Sequence, residues 1–174
     1  QKDATWQWGL HAMQFVVPLT ERTKSTGDLR YLRRARELIL DWIDDNLLYL
    51  FRTPSPLCWH DHVTALRIRA WLPFWEEWTK SPDFEVAGME KFLSAVLAHG
   101  NKLADARFYT EGHNHGLDQD VALTAVAAAF PELKASAGWL DLAAARFQKQ
   151  LSETISPGGV HLEHSPGYHI FVLG

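Results

Sequence analysis

Apolar residues recur at intervals of three and four along nearly the whole chain, and the gaps between these runs carry Gly, Pro, Ser and Asp. A 3.6-residue period with such punctuation predicts amphipathic helices joined by short turns. The first run, Trp6, Leu10, Met13 and Val17, stops at the turn-like Ser25-Thr-Gly-Asp28. The second, Leu32, Ala35, Leu38, Ile39, Trp42 and Ile43, ends before Phe51-Arg-Thr-Pro-Ser-Pro56, whose prolines cannot continue a helix. The third carries Val63, Leu66, Ala70, Trp71, Phe74 and Trp78, and Pro73 inside it is expected to kink or split it.

Ser81-Pro-Asp83 signals a new helix start, and Met89, Phe92, Leu93, Val96, Leu97 and Leu103 form the fourth stripe. A fifth helix is expected from near His115, with a small-sided stripe of Leu117, Val121, Ala125 and Ala128 that Pro131 closes. The sixth uses Leu140, Ala143, Phe147 and Leu151 and ends at Ser156-Pro-Gly-Gly159. Val160 to His164 alternates briefly, as in an extended loop or short hairpin, and Tyr168 to Leu173 reads as the opening of a seventh helix. No strand-rich segment intervenes. The expected fold class is all-α, built from antiparallel helical hairpins.

A length of 174 residues suits one domain able to bury a substantial core. The chain begins at Gln1 without a Met, which reads as a processed chain or an excised fragment. A net charge of −4 offers no basic excess for a phosphate backbone, so nucleic acid is not an expected partner. The single cysteine, Cys58, excludes an internal disulfide framework and leaves the compartment open. No apolar run approaches the roughly 20 residues of a membrane span, and the first residues do not form a signal peptide.

Two segments concentrate the chemistry: Thr110-Glu-Gly-His-Asn-His-Gly-Leu-Asp-Gln119 and His161-Leu-Glu-His-Ser-Pro-Gly-Tyr-His169. Both set titratable and amide side chains among glycines at element boundaries, where turns present side chains to a cleft. An Asn, several histidines and a Tyr suit proton transfer beside a bound anion.

Asn114-His-Gly at a helix start, followed one hairpin later by Ser165-Pro-Gly-Tyr-His169, resembles the heparinase II/III and alginate lyase group of polysaccharide lyases. The upstream Trp59-His-Asp-His-Val-Thr-Ala-Leu-Arg67 is similar to that group as well. The resemblance implies that residues 1–174 form a single, truncated domain, part of an incomplete (α/α) toroid. On the same resemblance, the C-terminal β-sandwich domain that completes the family's cleft is expected to be missing from residues 1–174. It further implies an acidic polysaccharide or oligosaccharide as partner, a periplasmic or secreted bacterial setting, and cleavage by β-elimination. A base removes the C5 proton of a uronate, the 4-O bond breaks, and an unsaturated sugar remains.

By that resemblance Asn114 neutralises the uronate carboxylate, His115 assists or acts as base, and Tyr168 is the acid and a candidate base. His164 and His169 would bring the Tyr168 phenol down from its ordinary pKa near 10. His113, Gln119, His60, Asp61 and Arg67 are substrate-binding candidates, and Trp59 is the candidate for stacking on a sugar ring. Most of the eight tryptophans, Trp42, Trp71 and Trp75 among them, fall on helical stripes and belong to the core.

A metal site built from His113, His115, His161 and His164 with Asp118 or Glu163 is the rival, but these spacings match no standard zinc pattern. No metal or cofactor is assigned. A ββα-metal nuclease reading of His113-Asn-His115 does not suit the helical context. A glycoside hydrolase on the same toroid would draw two carboxylates from Asp61, Glu111, Asp118 and Glu163, leaving Asn114 and Tyr168 without roles. A non-catalytic module binding acidic glycans is the third reading. The acidic balance of the chain leans towards an unsulfated uronate polymer.

Overall fold

A computed structural model describes residues 3–47 and 57–154. These hold α1 (Ala4–Ala12), α2 (Val16–Thr26), α3 (Leu29–Asn46), α4 (Asp61–Lys80), α5 (Val86–Ala104), α6 (Asn114–Ala129) and α7 (Ser136–Thr154), and no strand. The fold class is the expected one. Local chemistry sets the boundaries: Asp3, Asp28 and Glu85 each accept a hydrogen bond from a first-turn amide of the helix that follows. The first apolar run becomes two helices because Met13 adopts a left-handed φ of 52° and ends α1, after which the chain restarts at Val16. Gly27, at φ 69°, closes α2 in the same conformation without a side-chain penalty.

The helices form two layers. In one, α4 and α6 run parallel: Asp61 meets His115 at one end, and Trp75 meets Phe130 at the other. α2 lies beside α4 in this layer. In the second layer α5 and α7 run parallel, with Trp139 against Gly100 and Arg146 donating to Leu103 and Ala104 carbonyls. Arg33–Asp83 and Asp44–Lys91 align α3 with α5. Successive helices across the layers are antiparallel, as Trp78 at Gly88 and Arg67 at His99 show for α4 and α5. Parallel α4 and α6 bring two helix N-termini to the same end of the molecule.

Between the layers sits an aromatic core: Trp71, Phe74, Trp78 and Phe92 are fully buried, and Trp75 stacks on Phe92 at 5.0 Å. Each such side chain contributes about 2–3 kcal/mol by burial, plus the edge and offset contacts among the rings. Gly100 admits the Trp139 ring, because a Cβ there would lie 2.2 Å from the nearest ring carbon.

Three expectations need correction. α4 is not split at Pro73, which lines two open grooves. On α6 the buried face is Gly116, Gln119, Asp120, Ala122, Leu123, Val126 and Ala127, whereas Val121 is exposed. This helix packs on α4, α5 and α7 together, so no single apolar stripe describes it. On α7, Leu140, Phe147 and Leu151 face outwards while Trp139, Ala143 and Gln150 are buried. The extended loop and the seventh helix expected near Val160 and Tyr168 lie outside the described residues. No helix among the described residues is long and apolar enough to cross a membrane.

Candidate active site

The adjoining N-termini of α4 and α6 each carry a His-x-His tripeptide, His60-Asp-His62 and His113-Asn-His115. His113 caps α6 by accepting the His115 amide at Nδ1, so Asn114 occupies the first helical position rather than the cap itself. Gly112 precedes the cap at φ 70°, a turn that a side chain would strain. The chain thereby delivers Asn114 and His115 at the positive end of the helix dipole, where an anion is favoured.

His115 lies at the centre of the cluster. Its ring stacks on His62 at 4.3 Å and meets His113 and His60 edge-on at 4.5 and 5.8 Å. Its Nδ1 is 3.2 Å from Asp61 Oδ2. Burial lowers the pKa of His115 and the neighbouring His62 and His113 reinforce this, while Asp61 offsets them only in part. The imidazole is therefore neutral near pH 7, as a base or a neutral donor requires.

Asp61 is held ionised. Burial would raise its carboxyl, but the Thr110 hydroxyl at 2.5 Å, the His62 amide at 2.6 Å and His115 together bring it below the ordinary range. His60 Nδ1 lies 2.7 Å from Asp61 Oδ1, in a geometry too bent for a hydrogen bond. Asp118 is similar: burial pushes it up, and His62 at 2.8 Å with Arg69 at 2.7 Å prevails and lowers it. Trp8 of α1 leans its edge on His62. Within this frame Asn114 Oδ1 is buried without a hydrogen-bond partner among the described residues. Such an orphaned acceptor costs about 1–3 kcal/mol, and function is a common reason for keeping one.

The structure thus brings together Asn114, His115, His113, His60 and Asp61. It separates three other candidates from them. Arg67 is fully buried between the layers, where it donates to His99 Nε2 and to the His11 and Cys58 carbonyls and lies 3.8 Å over the Trp42 ring. Burial without a carboxylate partner pulls its pKa down to about 9, so it organises the core rather than meeting substrate. Gln119, also fully buried, spends its amide on the loop, accepting from Thr110 N and donating to Phe108 O. Trp59 packs on Trp42 and His99 and donates its indole N–H to the Asn46 carbonyl, so it is committed to packing rather than to a sugar face. Tyr168, His164 and His169 lie outside the described residues.

His62, Asp118, Thr110 and Arg69 complete the cluster and were not among the sequence candidates for substrate. The signal for His62 was present, because His60-Asp-His62 repeats the His-x-His pattern of the second motif. No group of three or more ligand-type side chains among the described residues is arranged to hold a metal ion.

Residues 1–174 match the model of the heparinase II/III N-terminus. The chain belongs to that family. A heparin-sulfate lyase of Bacteroides thetaiotaomicron is 25% identical over 174 residues, which are 99% of this chain and 24% of that protein. The solved heparan sulfate lyase HepC from Pedobacter heparinus superposes with a TM-score of 0.85 at 24% identity, covering 99% of this chain and 27% of that one. A solved heparinase III gives 0.81 at 23% identity, over 94% and 25%. The chain therefore spans about a quarter of the length of these relatives. Its helical hairpins share the fold of the corresponding family region.

Proposed function

We propose that this chain forms one wall of the active site of a lyase that cleaves a uronate-containing polysaccharide by β-elimination. The observation that carries the reading is the place of the Asn114 side chain, at the first position of a helix N-terminus beside a neutral His115 and with its Oδ1 unpartnered among the described residues. The C5 proton of a uronate is hardly acidic while the adjacent carboxylate keeps its full charge. The Asn114 amide N–H groups, aided by the α6 dipole, bind that carboxylate and stabilise the enolate formed when the proton leaves. Either His115 takes that proton, or His115 assists as a neutral donor and the deprotonated Tyr168 phenolate takes it. The C5–H electrons form the C4=C5 bond, the C4–O bond breaks, and the leaving oxygen receives a proton from Tyr168.

Neither Asp61 nor Asp118 suits the acid role of the hydrolase reading. A glycoside hydrolase needs one carboxyl held protonated as the acid, and both of these are held below the ordinary range. The names of the relatives favour a heparan-type glycosaminoglycan over the unsulfated polymer that net charge suggested. Charge summed over a quarter of a protein is a poor guide to the cleft of the whole. A further domain of the same protein supplies the opposite wall, and a polymer substrate places the enzyme in the periplasm or outside the cell.

The test is ultraviolet absorbance of the complete protein with heparan sulfate, alginate and other uronate polymers, alongside its Asn114→Ala variant. A rise with one polymer, lost in the variant, is the expected result. New reducing ends without absorbance favour the hydrolase, and a fully active variant removes the role given to Asn114.

A further inference from the structure

Behind the α6 N-terminus a second network reaches across the layers from α7. Gln150, nearly fully buried, donates from Nε2 to the His113 carbonyl at 2.8 Å. That carbonyl is the cap acceptor of α6, and it already receives the Gly116 and Leu117 amides at 2.9 and 3.3 Å. It belongs to the peptide plane that joins His113 to Asn114. Whatever fixes its rotation also fixes the Asn114 backbone and the start of the helix that carries His115. The Tyr109 hydroxyl lies 3.1 Å from Gln150 Oε1 and 2.9 Å from Asp120 Oδ2, and its one hydrogen is donated to one of these two oxygens at a time.

Two further features tie the network to its place. Gly116 leaves the space in which loop and α7 meet, since a Cβ there would lie 2.2 Å from Thr110 O and 3.3 Å from Gln150 Oε1. One turn before Gln150, Arg146 anchors α7 on the Leu103 and Ala104 carbonyls and lies 4.1 Å over the Tyr109 ring. Gln150 is thus a buried amide on a fixed helix with its donor aimed at one carbonyl. Simple packing at this position would be met by an apolar side chain at no desolvation cost.

We propose that Gln150 is a positioning residue for the elimination site, acting through the His113 carbonyl to hold Asn114 and His115 in register with the substrate carboxylate. The inference rests on the elimination reading above. Misplacement of a reacting group by about 1 Å costs on the order of 100-fold in rate, so loss of this anchor acts on turnover more than on binding.

The experiment compares Gln150→Met and Gln150→Glu in the complete protein. Both variants lower kcat about 10- to 100-fold at about pH 8, with KM changed less than about 3-fold. A carboxylate cannot donate to the carbonyl, whereas a carboxylic acid can. The activity of Q150E relative to wild type therefore rises as the pH falls towards about 5, and that of Q150M stays flat. Amide hydrogen exchange over residues 114–116, faster in both variants at about pH 8, is measured in the same proteins whether or not any polymer is cleaved. If wild type cleaves no uronate polymer, the elimination reading falls and the exchange alone decides the positioning. Unchanged exchange, or kcat within about 2-fold of wild type in Q150M, overturns the proposal.

Discussion

The imidazole of His62 lies face to face with that of His115, ring centroids 4.3 Å apart and planes 22° from parallel. Each ring has its own carboxylate, Asp118 for His62 and Asp61 for His115, so two imidazole–carboxylate pairs from different helices are stacked. A positive charge on either ring is repelled by one on the other, which favours one neutral partner.

The stack predicts opposite signs for two substitutions. His62→Phe keeps an aromatic plane and removes a charge that lowers the pKa of His115, so the His115 titration moves up. Asp61→Asn removes the groups that raise it, so the titration moves down. Ring-proton chemical shifts followed through the titration distinguish the two. Movement in the same direction would show that another group governs His115.

Arg67 and His99 predict an acid-sensitive core. Burial, with Arg67 adding to it, holds the pKa of His99 well below its ordinary 6.5, and His11 is lowered by the same causes. A depressed histidine must be neutral in the folded state, whereas the unfolded chain protonates below 6.5. The unfolded state then binds more protons, so this stability is complete above that pH and is lost as pH falls below it. Urea midpoints measured between about pH 8 and 5.5 should fall, and His99→Gln, which still accepts from Arg67, should flatten the slope. Arg67→Ala leaves three buried acceptors without their donor and should cost about 3–5 kcal/mol at any pH in this range.

How much was legible in the sequence follows from what periodicity encodes. α3 and α5 each pack one apolar face against their neighbours, and their stripes predicted Leu32, Ala35, Ile39 and Trp42, and Phe92, Val96 and Leu103, all of which are buried. α6 contacts three helices and buries Gln119 and Asp120, polar residues that an apolar pattern excludes by construction. At the site, Asn114 and His115 were visible because they lie together in sequence at a helix start. Arg67 shared that visibility through its motif. A long side chain in the second turn of α4 can point to the cleft or to the core, and only the packing of α5 against α4 decides for the core. Gln150 gave no sequence signal, because its partner is a backbone carbonyl on another hairpin.

Gly116→Ala tests the closeness of the loop to α6. The added methyl would lie 2.2 Å from the Thr110 carbonyl oxygen, which is backbone and cannot swing aside. The 108–113 loop must then move, and with it the Thr110 hydroxyl that binds Asp61. The expected outcome is a loss of about 1–3 kcal/mol and of elimination activity together, although alanine is the better helix former. A variant as stable and as active as wild type would contradict the geometry.

Asp120 predicts the reverse pH dependence to His99. Burial raises its carboxyl to about 6, against the hydrogen bond from Tyr109 and the charge of Arg146, and its Oδ1 has no hydrogen-bond partner among the described residues. A raised carboxyl binds its proton more tightly in the folded state. Its contribution is therefore complete below the ordinary 3.8 and is lost as pH rises through about 6. Asp120→Asn keeps an oxygen to accept from Tyr109 and never ionises, so it should stabilise the protein by about 1–3 kcal/mol at pH 8 and by little at pH 4. Urea unfolding of both proteins at the two pH values checks this. A variant that is less stable than wild type at pH 8 would mean that the ionised carboxylate is needed in place, as the acceptor of the Tyr109 hydroxyl.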